Sequence, residues 1–193
     1  MNPTPTAPPE TGGLTESLTA RGWIHTKPMS LDPQWRSVRE SLEDPDGRLH
    51  LDAAVYPDGH LVAHLSAEAT RSAAGGLITP GWMADLSEWP REAILAAITA
   101  ATAEPEPDLP DTLKQAGWEQ LADIRQAGRL LERSWTSPDG SASLTWAPAD
   151  DHDLGGWGVI REIDGERLEA NASQHTPPAI LTALALTAAN TTE

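Results

Sequence analysis

Histidine is the residue best placed to do chemistry in this chain, because there are six of them and no cysteine at all. The missing thiols remove disulfides, thiolate metal sites and cysteine nucleophiles from consideration. His50, His60 and His64 lie close in sequence, with Asp52 and Asp58 beside them. That is a nitrogen–oxygen set of the kind that holds a transition metal. On an extended strand, however, a spacing of four puts His60 and His64 on one face about 13 Å apart. Two ligands of one ion sit closer than that, so solvent-facing hairpin histidines are expected and no metal. His152, between Asp151 and Asp153, reads as part of a solvated acidic loop.

Other catalytic signatures are missing. No serine stands in a G-x-S-x-G elbow or in a recognisable triad context. Gly155-Gly-Trp-Gly158 does not follow a strand and open a helix, as a dinucleotide-binding loop must, and reads as a turn. No catalytic residue and no cofactor is assigned, and the expectation is that the chain is not an enzyme.

The aromatic residues are the second candidates. There are eight Trp, one Tyr and no Phe. Trp23, Trp118, Trp135, Trp146 and Trp157 recur at equivalent positions of the repeat described below and read as packing residues. Trp35, Trp82 and Trp89 have no Trp counterpart, and Trp89 aligns with His175. Aromatic groups on an acidic surface suit a cationic partner or a protein hot spot. Trp35, Trp82, Trp89 and His175 are therefore the candidate binding residues.

That surface is strongly acidic. The net charge is −16, with 7 Lys+Arg against 13 Asp+Glu through Ala103 and 6 against 16 from Glu104 onward. Acidity shared along the chain repels phosphate backbones and argues against direct nucleic-acid binding. It serves solubility, or it meets a basic partner, or it imitates DNA. No run of about 18 apolar residues offers a membrane span, and no signal peptide is visible at the Pro/Thr-rich start. A cytoplasmic protein is expected.

These residues must be held by a scaffold, and the sequence offers one that occurs twice. Leu18–Trp23 matches Leu113–Trp118 at an offset of 95, Pro45-Asp-Gly47 matches Pro138-Asp-Gly140 at 93, and Ser87–Leu95 matches Ser173–Leu181 at 86. Three landmarks in one order point to a tandem repeat. The expected organisation is a disordered tail over 1–13, a first module over 14–103, an acidic Pro-rich linker over 104–111 and a second module over 112–193. Each module reads helix, four antiparallel strands, helix, an α+β layer with its helices on one sheet face, the two packing as a pseudo-symmetric pair.

In the first module a short helix runs from Leu14 to Ala20, with Gly22 just past its end. Strands follow at Trp35–Glu43, Leu49–Tyr56, Leu61–Leu65 and Leu77–Leu86, with Pro57-Asp-Gly59 as a hairpin turn and 67–76 as a small-residue loop. A helix over Trp89–Thr102 has Pro90 at its first position and Ile94, Leu95, Ile98 and Ala101 on one face. In the second module Asp111 caps a helix to Ala116. Strands fall at Gly128–Thr136, Ser141–Ala147, Trp157–Ile163 and Arg167–Ala172, the last two joined by Asp164-Gly165. Thr176 caps a final helix whose buried stripe is Ile180, Leu181, Leu184 and Ala188.

The pattern Ser137-Pro-Asp-Gly140, Leu144-x-Trp146, a later Trp157 and Thr176-Pro-Pro-Ala-Ile-Leu181 resembles a tandem domain family of unknown function common in streptomycetes and related actinobacteria. The resemblance covers about 80 residues of the second module well and the first module loosely. Trp89-Pro90 departs from the Thr-Pro of the pattern, and Glu43-Asp44 replaces the residue before Pro45. It implies an actinobacterial intracellular protein and carries over no catalytic residue. Three functions follow from these readings: a non-enzymatic protein-interaction module, a DNA-mimicking acidic inhibitor from a mobile element or phage, and a small hydrolase or metal-dependent enzyme. The first is the leading expectation. Its partner is a protein, with a basic surface as one form.

Overall fold

A computed structural model describes residues 13–102, 108–150, 154–163 and 166–190. The expected tail over 1–13 lies outside the described residues except for Gly13, and so do linker residues 104–107, the Asp164-Gly165 turn and His152.

The chain runs α1 (Leu14–Thr19), β1 (Ile24–Leu31), β2 (Val38–Glu43), β3 (Leu49–Val55), β4 (Leu61–Ala67), β5 (Thr70–Arg71), β6 (Leu77–Thr79), β7 (Trp82–Asp85) and α2 (Arg91–Ala101). It continues with α3 (Leu109–Gln115), β8 (Glu119–Gln120), β9 (Ile124–Gln126), β10 (Arg129–Thr136), β11 (Ala142–Ala147), β12 (Gly156–Ile163), β13 (Glu166–Ser173) and α4 (Pro178–Asn190). Eleven strands form one antiparallel sheet in the order β1-β2-β3-β4-β7-β13-β12-β11-β10-β8, with β9 on β10, while β5 and β6 make a separate two-stranded sheet.

This overturns the expected pair of helix–four-strand–helix modules. The sheet does not stop at β7: Asp85 pairs with Asn171 and Ala84 with Ala172, so β13 continues it. The physical reason lies in the short strand β7. Its edge beyond β4 would leave peptide groups unpaired, and β13 satisfies them. Among the described residues the four helices are short and one large antiparallel sheet dominates.

The helices belong to one core. On the covered face Leu42, Leu51, Leu65 and Ala84 are cross-strand neighbours, and Trp135, Leu144, Val159 and Ala170 make a second such row. Ile94 and Ile98 of α2 and Ile180, Leu181 and Leu184 of α4 join both rows in one buried cluster. Helices α2 and α4 pack on each other, and the small residues Ala93, Ala97 and Ala185, all fully buried, permit the approach. Burying each aliphatic side chain of this stripe is worth roughly 1.5–3 kcal/mol.

Local capping differs from expectation in three places, one being α4, which starts at Pro178, two residues past Thr176, whose hydroxyl donates to the Met83 carbonyl instead. Asp108, not Asp111, caps α3, its carboxylate accepting from the Asp111 amide at 3.0 Å, with Pro110 in the first turn. Pro90 precedes α2 as its cap residue. Two strand regions had no sequence signal. Strand β1 carries Pro28 and exposes Ile24, Met29 and Leu31, so no one-sided alternation marks it. Strands β8 and β9 have only two and three residues.

Candidate functional site

With the helices on one face, strand alternation sends every second side chain to the other. The cross-strand register then lines up Lys27, Ser41, Asp52, His64, Asp85, Asn171, Gly158, Thr145 and Ser134 in a single polar row across the sheet. None of these residues is buried. This open face is where the fold gathers chemistry.

Some groups in the row face one another directly. Ser41 Oγ donates to Asp52 Oδ1 at 2.5 Å. His64 Nε2 lies 3.7 Å from Asp85 Oδ1, an oxygen that also accepts from Ser87 Oγ at 2.6 Å and Ser87 N at 3.0 Å. A nucleophilic serine needs its proton directed at a histidine. Here the serine faces one aspartate and the histidine another. The remaining hairpin histidines have carboxylates of their own, His60 beside Glu88 at 3.3 Å and His50 beside Glu43 at 3.9 Å. Among the described residues no group of three or more His, Asp and Glu side chains converges to hold a metal.

Two depressions open on this face. The first, of about 420 Å³, lies over β1–β4 and is lined by Lys27, Arg39, Ser41, Asp52, Tyr56 and His64 above Ala54 and Val62. The second, of about 540 Å³, lies over β7 and β10–β13. Its acids are Asp85, Glu132 and Glu169, its exposed apolar groups Met83 and Leu154, and none of its lining residues is basic. Glycine makes its floor. A Cβ at Gly158 would come within 2.9 Å of Thr145 Oγ1, and one at Gly156 within 2.4 Å of the Ala172 carbonyl oxygen. A side chain there would therefore fill the floor or displace β13.

Away from the two grooves, three aspartates in turns and connections are held below the usual carboxylate range. The Arg133 and Arg125 guanidiniums, donating at 2.9–3.1 Å, hold Asp123 at a pKa of about 2. Hydrogen bonds from Ser137 and Ser141 hold Asp139 at about 2 in the β10–β11 turn. Asp32, at the start of the β1–β2 connection, is lowered chiefly by the Trp35 amide.

The four candidate binding residues scatter. Trp82 and His175 both line a groove of about 510 Å³ at the strand ends of β3, β4 and β7, with Arg48, Thr79 and Pro177. Trp35 is 57% exposed in the β1–β2 connection, far along the sheet from them. Trp89 is 2% exposed and belongs to the core. Sequence reasoning did not single out Asp85, Glu132 and Glu169. The signal available was alternation at Glu169, which sits out of phase with Leu168, Ala170 and Ala172, and more weakly at Glu132, out of phase with Leu131 and Trp135 but in phase with Leu130.

Among the described residues, no helix is long and apolar enough to cross a membrane. Comparison with known proteins adds no relative: no family model, no curated protein and no solved structure matches this chain.

Proposed function

We propose that this chain is a non-enzymatic, cytoplasmic protein-interaction module, of the actinobacterial family its motifs resemble, that takes up a basic protein surface on the open face of its sheet. The observation that carries the reading is the groove over β7 and β10–β13. Three carboxylates and no base line it, while Met83 at 55% and Leu154 at 89% exposure give it apolar contact points. A Lys- or Arg-rich segment with one or two apolar side chains matches both properties.

The test is affinity capture from the source cell with the native chain and with a Glu132→Gln, Glu169→Gln double variant. A partner with a basic surface, retained by the first and lost by the second, supports the proposal. Equal recovery by both removes the groove from it. Salt separates this reading from the DNA-mimicking inhibitor. Binding that rests on Met83 and Leu154 as well as on the carboxylates keeps part of its affinity at physiological ionic strength, whereas binding by charge imitation alone falls steeply.

A further inference from the structure

We infer that the depression over β1–β4 is a separate binding site for a small zwitterion, a free amino acid with an apolar side chain. Three features of the cavity lead there, and none depends on the protein-binding groove.

First, opposite charges stand on opposite walls. Lys27 on β1 and Arg39 on β2 form one wall, and Asp52 on β3 forms the other. In a chain with 13 Lys+Arg against 29 Asp+Glu, two cations lining one cavity run against the prevailing charge. Glu40 also borders the cavity, but its side chain is buried at 4% exposure and accepts a hydrogen bond from Thr15 on the helix-covered side. Second, the charged groups are oriented. Asp32 braces Arg39 at 3.0 Å and leaves its other guanidinium N–H groups to donate. Ser41 holds Asp52 through one carboxylate oxygen, so the second oxygen is available to accept. Lys27 makes no ion pair among the described residues. Third, an apolar patch adjoins both walls, with Ala54 paired to Arg39 and two residues along β3 from Asp52, Val62 one strand further, and Tyr56 also lining the cavity.

Lys27 and Asp52 are two strands apart, each being paired with Ser41. Two interstrand spacings put their backbones about 9–10 Å apart. The two opposite charges thus project from the same face within reach of the carboxylate and ammonium of one amino acid. A plain anion would face Asp52, and a plain cation would face Lys27 and Arg39. Only a ligand bearing both charges satisfies both walls, and its side chain lies on Ala54 and Val62. The cavity, about 420 Å³, is within the size range of small-molecule sites.

The test uses the full chain, with amide chemical shifts followed while each of the standard amino acids is added in turn. An apolar amino acid is expected to shift residues of β1–β4 saturably. Its N-acetyl derivative, which lacks the ammonium, and its amide, which lacks the carboxylate, should each bind at least about tenfold more weakly. Lys27→Gln and Asp52→Asn change exposed side chains, and each should weaken the parent amino acid by a similar factor while near-UV circular dichroism stays native. The inference fails if no amino acid shifts these strands, if either single-charge derivative binds as well as the parent, or if both variants bind it unchanged.

Discussion

Two depressions on one sheet face, floored by the same kind of strand, carry opposite chemistry. Over β1–β4 cations and an aspartate stand beside a small apolar patch; over β7 and β10–β13 carboxylates and exposed apolar groups ring a glycine floor. The helix-covered face shows no such division, since a single aliphatic cluster runs beneath both depressions. The difference teaches where each kind of constraint acts. Packing fixes the covered face, because any lost contact there costs stability. The open face is constrained only by what it touches, so its two halves are free to specialise.

The largest expected effect tests that contrast between the faces at tryptophan. Trp89→Ala should destabilise by about 3–5 kcal/mol, as loss of a large core side chain does, since Trp89 is 2% exposed. Trp35→Ala, at a residue 57% exposed, should stay within about 0.5 kcal/mol. Urea denaturation of both variants measures the pair. Equal costs would mean that the division into a packed and a free face is misplaced.

A second pair asks whether the two halves are one folding unit. Leu51 on β3 and Leu144 on β11 are both essentially inaccessible and belong to the same cluster. Either substitution to Ala should cost about 2–5 kcal/mol and shift one common unfolding transition. Two separated transitions, with each variant moving only one, would show that the halves unfold independently despite their shared sheet.

Charge on the open face is the next smaller effect. The Glu132→Gln, Glu169→Gln double variant should weaken a basic partner by roughly tenfold, mostly through faster dissociation, if those carboxylates are covered on binding. A change confined to the association rate would make them peripheral steering charges instead.

Much of the fold was legible because local chemistry dictated it. The Asp-Gly turn after Tyr56 and the Pro-Asp-Gly turns at 45–47 and 138–140 do join antiparallel strands, as their residues require. Ile94 and Ile98 of the first expected stripe and Ile180, Leu181 and Leu184 of the second are buried as the helical period demands, while Leu95 and Ala101 are only partly covered. The continuous sheet was not legible. It depends on two residue pairs between β7 and β13 that are 86 and 88 positions apart in sequence, and Asp85, Asn171 and two alanines carry no signal of pairing. Nor could spacing show that Trp89 is enclosed, because that depends on packing between elements distant in sequence. The open-face row was hidden for the same reason. Its members are ordinary polar residues one by one, and only the register brings them into line.

The smallest expected effect concerns acid, and it separates the two Pro-Asp-Gly turns. At the first, Asp44 is buried and its Oδ1 accepts from the Arg48 and Leu49 amides at 2.6 and 2.8 Å. At the second the buried acceptor is Ser137, which takes the Ala142 amide at 2.9 Å and gives its own proton to Asp139. Asp139 is consequently held at about 2, below its ordinary value of 3.8. The folded protein thus binds this proton more weakly than the unfolded chain does. The stabilisation is fully present above about pH 4 and is lost as pH falls through 3.8 toward 2. Asp139→Asn removes the titrating group, so the variant should be less stable than the native chain at neutral pH. Its urea midpoint should also fall less steeply on acidification from about pH 4 to about pH 2.5. Asp123, held at about 2 by Arg133 and Arg125, titrates over the same window, so Asp139→Asn leaves its share of the acid loss in place. An unchanged slope in the Asp139→Asn variant would mean that the serine pair, not the carboxylate, secures the second turn.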